Sequence, residues 1–337
     1  MNSAKRGGEP ILVLGGAGYI GSHMVKMLGQ AGHVPVVVDD LSSGHADAVG
    51  KAELIVGNFG DEAFIHKTIQ AVKPAAVMHF ASFIQVGESM REPAKYYQNN
   101  FNATHTLLEA MRRHAVNKFI FSSTAAIFGN PVRIPIDESH PMQPINPYGR
   151  TKYFVEQLLQ DYDAAYGFKS ICLRYFNAAG ADPDGELAER HDPETHLIPL
   201  VLRAAAGRMP HITVFGTDYD TPDGTCVRDY IHVHDLCSAH LLALDKLLNG
   251  EGSAQFNLGN GNGFSVRQVI DVVQEVTGRT VPVQYGPRRE GDPPSLVADA
   301  TAARSQLGWQ PQYPRLEDII RHAWAWESAA INVAHPA

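Results

Sequence analysis

The sequence predicts an α/β protein built on a doubly wound parallel sheet, with a smaller, interleaved C-terminal α/β lobe. Two observations carry this. Through the first half of the 337 residues, short apolar or β-branched runs alternate with amphipathic helical patterns, the mark of βαβ units and a parallel sheet. After Asn177 the character changes, and the stretches 181–185 and 218–224 are rich in Asp, Pro and Gly, as expected where a second lobe begins. A hydrophobic content of 44% with 19% charged residues is ordinary for a globular chain and leaves enough apolar material for a sizeable core.

In chain order, strands are expected at 11–14, 34–39, 54–57, 75–80, 119–123 and 170–174. Helices are expected at 22–31, 61–72, 94–114 and 148–166, the third carrying Leu107, Leu108 and Met111 at helical spacing. Beyond Asn177, helices are expected at 197–206, 231–249, 265–277 and 316–327. A strand at 254–258 is expected to return to the first sheet. The implied division is a polar tail at 1–10, a dinucleotide-binding domain at 11–177 rejoined by 231–258, and a substrate-binding lobe from 178–230 and 259–337.

A net charge of −8 with no Lys/Arg run argues against binding nucleic acid through its phosphates. The cysteines are Cys172, Cys226 and Cys237, an odd set without paired-ligand spacing, which suits free thiols in a reducing compartment. No apolar stretch reaches bilayer-spanning length, and the polar start lacks a signal-peptide pattern. A cytoplasmic protein with no membrane partner is the expectation.

Gly15, Gly18 and Gly21, in Gly15-Gly16-Ala17-Gly18-Tyr19-Ile20-Gly21, follow the first strand and open a helix. That context fits a Rossmann-type fingerprint: one glycine for the tight turn, one for close approach of backbone to a pyrophosphate, one for helix packing. Asp39 ends the second strand, where a carboxylate accepts from both adenosine ribose hydroxyls and repels a 2′-phosphate. NAD rather than NADP is therefore expected, with Asp40 adding to that bias or forming a turn.

Tyr148 and Lys152 lie four residues apart on a predicted helix, hence on one face, where the ammonium would favour the ionised phenol. Such a Tyr can remove a proton from an alcohol. Thr124 ends the fifth strand at the carboxyl edge of the sheet, where doubly wound folds bind ligands. Its hydroxyl serves equally well as a third catalytic group or as a cap for the next turn. His232 and His234 are two apart, but no third ligand stands at a fitting spacing, and no metal is expected.

With these motifs in place, the resemblance becomes specific. The fingerprint with Ser22-His23, Val86-Gly87-Glu88-Ser89, Arg174-Tyr175-Phe176-Asn177, 227–233 and 287–292 resemble the UDP-glucose 4-epimerase family of the extended short-chain dehydrogenases/reductases, in family order from about residue 11 to 325. The resemblance implies a bound NAD and a UDP-sugar substrate. Tyr148 would take the proton of the sugar 4-hydroxyl while hydride leaves C4, and the 4-keto sugar would turn over and be reduced on its other face. Lys152 would also bond the nicotinamide ribose. Tyr19, Ile20, Asn58, Phe59, Phe80, Ala81, Asn99, Ser122 and Tyr175 complete the candidate cofactor contacts, Asn58 standing where the family usually has an Asp at the adenine. Asn177, Arg228 and Arg289 would hold the diphosphate and Asp292 the uridine ribose, with His196, Phe215 and Leu296 as further substrate contacts. A homodimer through helices 94–114 and 148–166 is implied by the same likeness.

Some positions depart from the pattern. Ile84 replaces a lysine that contacts the cofactor in some members, Leu14 replaces a threonine, and His196 stands where some have Asn. Leu296 is smaller than the tyrosine of others and leaves room for N-acetylated sugars. Two other readings stay open: a nucleotide-sugar 4,6-dehydratase or decarboxylase, and a non-catalytic NAD-binding regulator. Ala125-Ala126 after Thr124, where a dehydratase has an acidic pair, argues against the first; retention of Tyr148 and Lys152 argues against the second.

Overall fold

The computed structural model describes residues 8–289 and 292–334. Most of the polar tail, Glu290 and Gly291 of the 287–292 motif, and residues 335–337 of the lobe lie outside the described residues. The strands are β1 (Pro10–Leu14), β2 (Val34–Asp39), β3 (Glu53–Val56), β4 (Ala76–His79), β5 (Lys118–Thr124), β6 (Lys169–Tyr175), β7 (Asn177–Ala179), β8 (Ile212–Phe215), β9 (Val227–Arg228), β10 (Tyr230–His232), β11 (Ala254–Leu258), β12 (Phe264–Ser265), β13 (Val283–Gly286) and β14 (Ser295–Leu296). The helices are α1 (Tyr19–Gln30), α2 (Glu62–Val72), α3 (Val86–Arg91), α4 (Pro93–Tyr96), α5 (Ala103–Arg113), α6 (Pro147–Tyr166), α7 (Leu197–Ala205), α8 (Val233–Leu248), α9 (Val266–Thr277), α10 (Thr301–Gln306) and α11 (Leu316–Ala334).

Seven strands form one parallel sheet in the order β11-β6-β5-β4-β1-β2-β3. The direction of winding reverses between β1 and β4, the point at which such folds open a ligand crevice. Side chains alternate across a strand, so Ile11 and Val13 of β1 join one core with Met24, Leu28, Leu236 and Leu244 from α1 and α8. Leu12 and Leu14 join another with Leu107, Leu108, Val155 and Leu159 from α5 and α6. Leu14 is thus buried strand packing. A third core gathers α7, α9 and α11 through Ile198, Val201, Val269, Val273, Ile319 and Ile320.

Four predicted elements differ in detail, the helix expected at 316–327 running on to Ala334. The 94–114 stretch, periodic enough to read as one helix, is divided into α4, a π-helical segment at Tyr97–Asn102, and α5; such widened turns concentrate at functional sites. The helix expected at 231–249 starts later, because Tyr230–His232 pairs in parallel with Asn177–Ala179 and the His232 ring caps α8 by accepting from the His234 amide at 3.0 Å. The other His232 nitrogen meets His322 at 3.0 Å, so this histidine is spent on structure. α1 begins at Tyr19 rather than 22.

Candidate active site

The fingerprint loop joins β1 to α1 beside the end of β4. Gly15 has φ +73°, and a Cβ there would lie 2.6 Å from the Ala81 nitrogen. A Cβ on Gly21 would lie 2.1 Å from the Gly15 carbonyl oxygen, so the loop meets the chain after β4, and the helix meets the loop, only because Gly15 and Gly21 lack side chains. Gly18 is the N-cap of α1 and makes no side-chain cap, which leaves helix amides and their partial positive charge directed at the crevice. Asp39 accepts from the Ala17 amide at 3.0 Å and the Leu41 amide at 2.9 Å, each oxygen keeping a lone pair. Burial pushes its carboxyl up and the two amides pull it back. A cradle that excludes Cβ atoms and ends on a fixed, nearly buried carboxylate fits a dinucleotide with a free ribose diol.

Neighbouring candidates line up along the same edge. Asp40 and Asn58 are exposed; Asp40 accepts from the Ser42 amide at 3.0 Å and the Asn58 carbonyl from the Gly60 amide at 2.7 Å. Phe59 is buried edge-on to His79. Phe80 lies against His240, and Tyr19 donates to the Gly180 carbonyl at 2.7 Å. Ile20 is half-buried against the α1–α8 core, and Asn99 donates to Asn100 at 3.1 Å from within the π-helical segment. Ile84 is 40% exposed, and Gln85 caps α3 without a side-chain bond.

At the reacting end, Asn146 caps α6 by accepting from the Gly149 amide at 2.8 Å. Tyr148, Lys152 and Glu156 follow at helical spacing, all buried. The Lys152 ammonium donates to the Ser82 hydroxyl at 2.8 Å and the Ser122 carbonyl at 2.7 Å. Burial lowers its pKa to about 7, with Glu156 opposing. Burial pushes the Tyr148 phenol up from its ordinary value, and the Thr124 hydroxyl, hydrogen-bonded to it, pulls it back. Thr124 also accepts from the Ala126 amide at 3.1 Å, so one hydroxyl is cap and phenol partner together. Ser122 meets the His240 ring at 3.3 Å and is hydrogen-bonded to Tyr175.

The C-terminal part brings Arg228, Arg289 and Asp292 together. Arg228 donates to an Asp292 carboxylate oxygen at 3.0 Å and to the Pro293 carbonyl at 2.9 Å, while the Asp292 amide donates to the Arg289 carbonyl at 3.4 Å. Arg228 does not pair with Asp229, which is fully buried and accepts from the amides of Asn260, Gly261 and Ala298. The Arg289 guanidinium lies 4.1 Å over the Phe215 ring. Leu296, in register with Arg228, packs with Ile127 and Phe128 just past Thr124. Asn177 donates to the Asp229 carbonyl at 3.0 Å. His196 heads α7 with its Nδ1 against Glu189 at 2.7 Å and Glu194 at 3.1 Å; burial lowers its pKa, but these carboxylates push it up to about 10.

Several supporting residues escape a sequence reading. Asn100 clamps the backbone of Phe83 by accepting from its amide and donating to its carbonyl, both at 2.9 Å, fixing the loop after β4. Glu156 accepts from Ser123 at 2.5 Å and pairs with Arg174 at 2.6 Å, tying α6 to β5 and β6. Glu189, His191, Glu194 and His196 bring ligand atoms within 4.8 Å of one another, a group overlooked beside His232 and His234. Each depends on contacts between distant elements or on a loop that has no periodicity to read.

A dinucleotide cradle with a buried Tyr–Lys pair at the sheet edge defines the short-chain dehydrogenase/reductase class. Residues 11–259 match the NAD dependent epimerase/dehydratase family, and the chain belongs to it. The UDP-glucose 4-epimerase of Halalkalibacterium halodurans is 50% identical over 94% of this chain and 95% of its own length. The UDP-glucose 4-epimerase of Brucella ovis, solved in complex with NAD, superposes with a TM-score of 0.92 at 50% identity, covering 94% of this chain and 98% of that one. The UDP-Glc/GlcNAc 4-epimerase of Campylobacter jejuni gives 0.84 at 43% identity over 95% and 99%.

Proposed function

We propose that this chain interconverts UDP-galactose and UDP-glucose by oxidation and re-reduction at the sugar C4. The observation that carries the reading is that similarity to UDP-glucose 4-epimerases covers 94% of the chain, the nucleotide-sugar part as well as the cofactor fold. Bound NAD supplies a hydride acceptor that can return what it takes. Asp39 holds its adenosine ribose, the α1 amides its pyrophosphate, and Lys152 its nicotinamide ribose. Tyr148 takes the proton of the 4-hydroxyl and gives it back, with the Thr124 hydroxyl donating to the phenolic oxygen as charge develops. Arg228 and Arg289 fork onto the diphosphate, Asp292 accepts from the uridine ribose, and Asn177 and His196 flank the diphosphate.

Phe215 and Leu296 form apolar walls. The modest size of Leu296 supports a wider range that takes in UDP-N-acetylhexosamines. Incubation with UDP-galactose, and separately with UDP-N-acetylglucosamine, tests both: UDP-glucose is expected from the first and UDP-N-acetylgalactosamine from the second. A keto-deoxy sugar would mark a dehydratase, and no product would mark a cofactor-binding regulator.

The protein works as a cytoplasmic homodimer through α5 and α6. Phe154 on α6 is 39% exposed and lies beside Tyr97, Phe101 and Tyr153, an aromatic group suited to a partner surface. Sedimentation should give twice the chain mass, shifting toward the monomer in Phe154→Glu. Among the described residues no helix is long and apolar enough to cross a membrane.

A further inference from the structure

We propose that Glu189, His191, Glu194 and His196 form a site for a divalent transition metal of the zinc class, which fastens segment 188–196 across the fingerprint loop. The donors come from one short run with the spacing Glu-x-His-x-x-Glu-x-His. Glu189 Oε1 lies 2.9 Å from His191 Nδ1 and 2.7 Å from His196 Nδ1, Glu194 Oε1 lies 3.1 Å from His196 Nδ1, and Glu194 Oε2 lies 4.0 Å from His191 Nδ1. Four ligands on a tetrahedral zinc, at bonds of about 2.0–2.2 Å, stand roughly 3.3–3.5 Å apart, a spacing that the observed separations of 2.7 to 4.0 Å bracket. Two imidazoles and two carboxylates suit Zn²⁺ or Co²⁺ better than a hard ion such as Ca²⁺, and the two negative charges balance the ion.

An independent feature points to a missing ligand. The Glu194 side chain is 0% exposed, yet its Oε2 has no hydrogen-bond partner. A buried, unpaired carboxylate oxygen is costly and a cation beside it removes the cost. Its other oxygen is oriented by the amides of Thr195 and His196 at 2.7 and 2.8 Å, the kind of outer support that fixes a metal ligand. The segment already touches the cofactor side of the fold: His191 lies edge-on to Tyr19, Arg190 forks onto Asp47 at 2.9 Å, and His45 bonds the Arg190 carbonyl at 3.0 Å. A metal there would stiffen the strap that borders Gly18 and Tyr19.

The test is independent of the reaction. The full chain, treated with a chelator and dialysed, is titrated with ZnCl2 against a chromophoric competitor, and with CoCl2 while visible absorption is followed. One ion per chain is expected, with the intense bands of four-coordinate Co²⁺. His191→Ala and Glu194→Gln should each weaken zinc at least tenfold, and His66→Ala, remote from the cluster, should leave it unchanged. His191 is partly exposed, so its variant keeps the fold even if Glu194→Gln does not. The idea fails if no stoichiometric binding occurs, with protons alone bridging the cluster, or if binding survives His191→Ala.

Discussion

Tyr148 is buried against Thr124 at the end of β5, and its conjugate base exists only if something repays the loss of solvent around it. The bound cofactor's positive ring and a protonated Lys152 are the available charges. Removing the phenol oxygen leaves the cradle intact, so Tyr148→Phe should lower kcat by about 10²–10⁴ while NAD binding, read by fluorescence titration, stays near wild type. Lys152 behaves differently because it costs the fold stability. Its folded pKa of about 7 lies below its ordinary 10.5. Between those values the unfolded chain holds a proton that the native chain gives up, so stability rises as pH climbs through that window. Lys152→Met should therefore keep or raise the thermal midpoint at pH 7 while activity falls by at least about 10²-fold. A midpoint that drops by several degrees would mean that the bonds to Ser82 and Ser122 outweigh the burial of charge.

α6 is the element that carries the proposed reacting groups. Tyr148, Lys152 and Glu156 share one face, and Glu156 is held by Arg174 and Ser123 where both members of the ion pair are almost without solvent. Such a pair adds little over an apolar replacement, yet breaking it strands a charge. Glu156→Gln should cost about 3–5 kcal/mol in urea unfolding and lower activity through movement of Tyr148. The glycines, Asp39, Tyr148 and Lys152 are legible in the sequence because each acts through its neighbours in the chain: a turn, a strand end, one helical face. Asn100, Glu156 and the Glu189–His196 run are not, since their partners sit across the fold or in a loop. The same division explains the elements. The sheet strands follow from apolar runs, but β9, β12 and β14 are only two residues each, too short for any alternation. The π-helical turn at Tyr97–Asn102 keeps a helical composition and so reads as unbroken helix.

For the molecule as a whole, buried neutral histidines set the acid limit. Burial lowers His79 and His232 to about 3 and His240 to about 4, from an ordinary 6.5. Below pH 6.5 the unfolded chain binds protons that these rings refuse, so the stability they permit is whole above 6.5 and is lost as pH falls toward their folded values. Each such ring costs up to about 1.4 kcal/mol per pH unit in that window. The thermal midpoint should accordingly fall steeply between pH 6.5 and 5, and His79→Gln should flatten the slope. The sheet order has a further outcome, for synthesis on the ribosome. β11 pairs with β6, although residues 176–253 separate them in the chain. At roughly 5–20 residues per second, β6 emerges about 4–16 s before its neighbour and offers an open strand edge to any other nascent chain. The seven-stranded sheet thus stays incomplete until residue 258 has been made, and crowding of polysomes is the setting in which it is most exposed to mispairing.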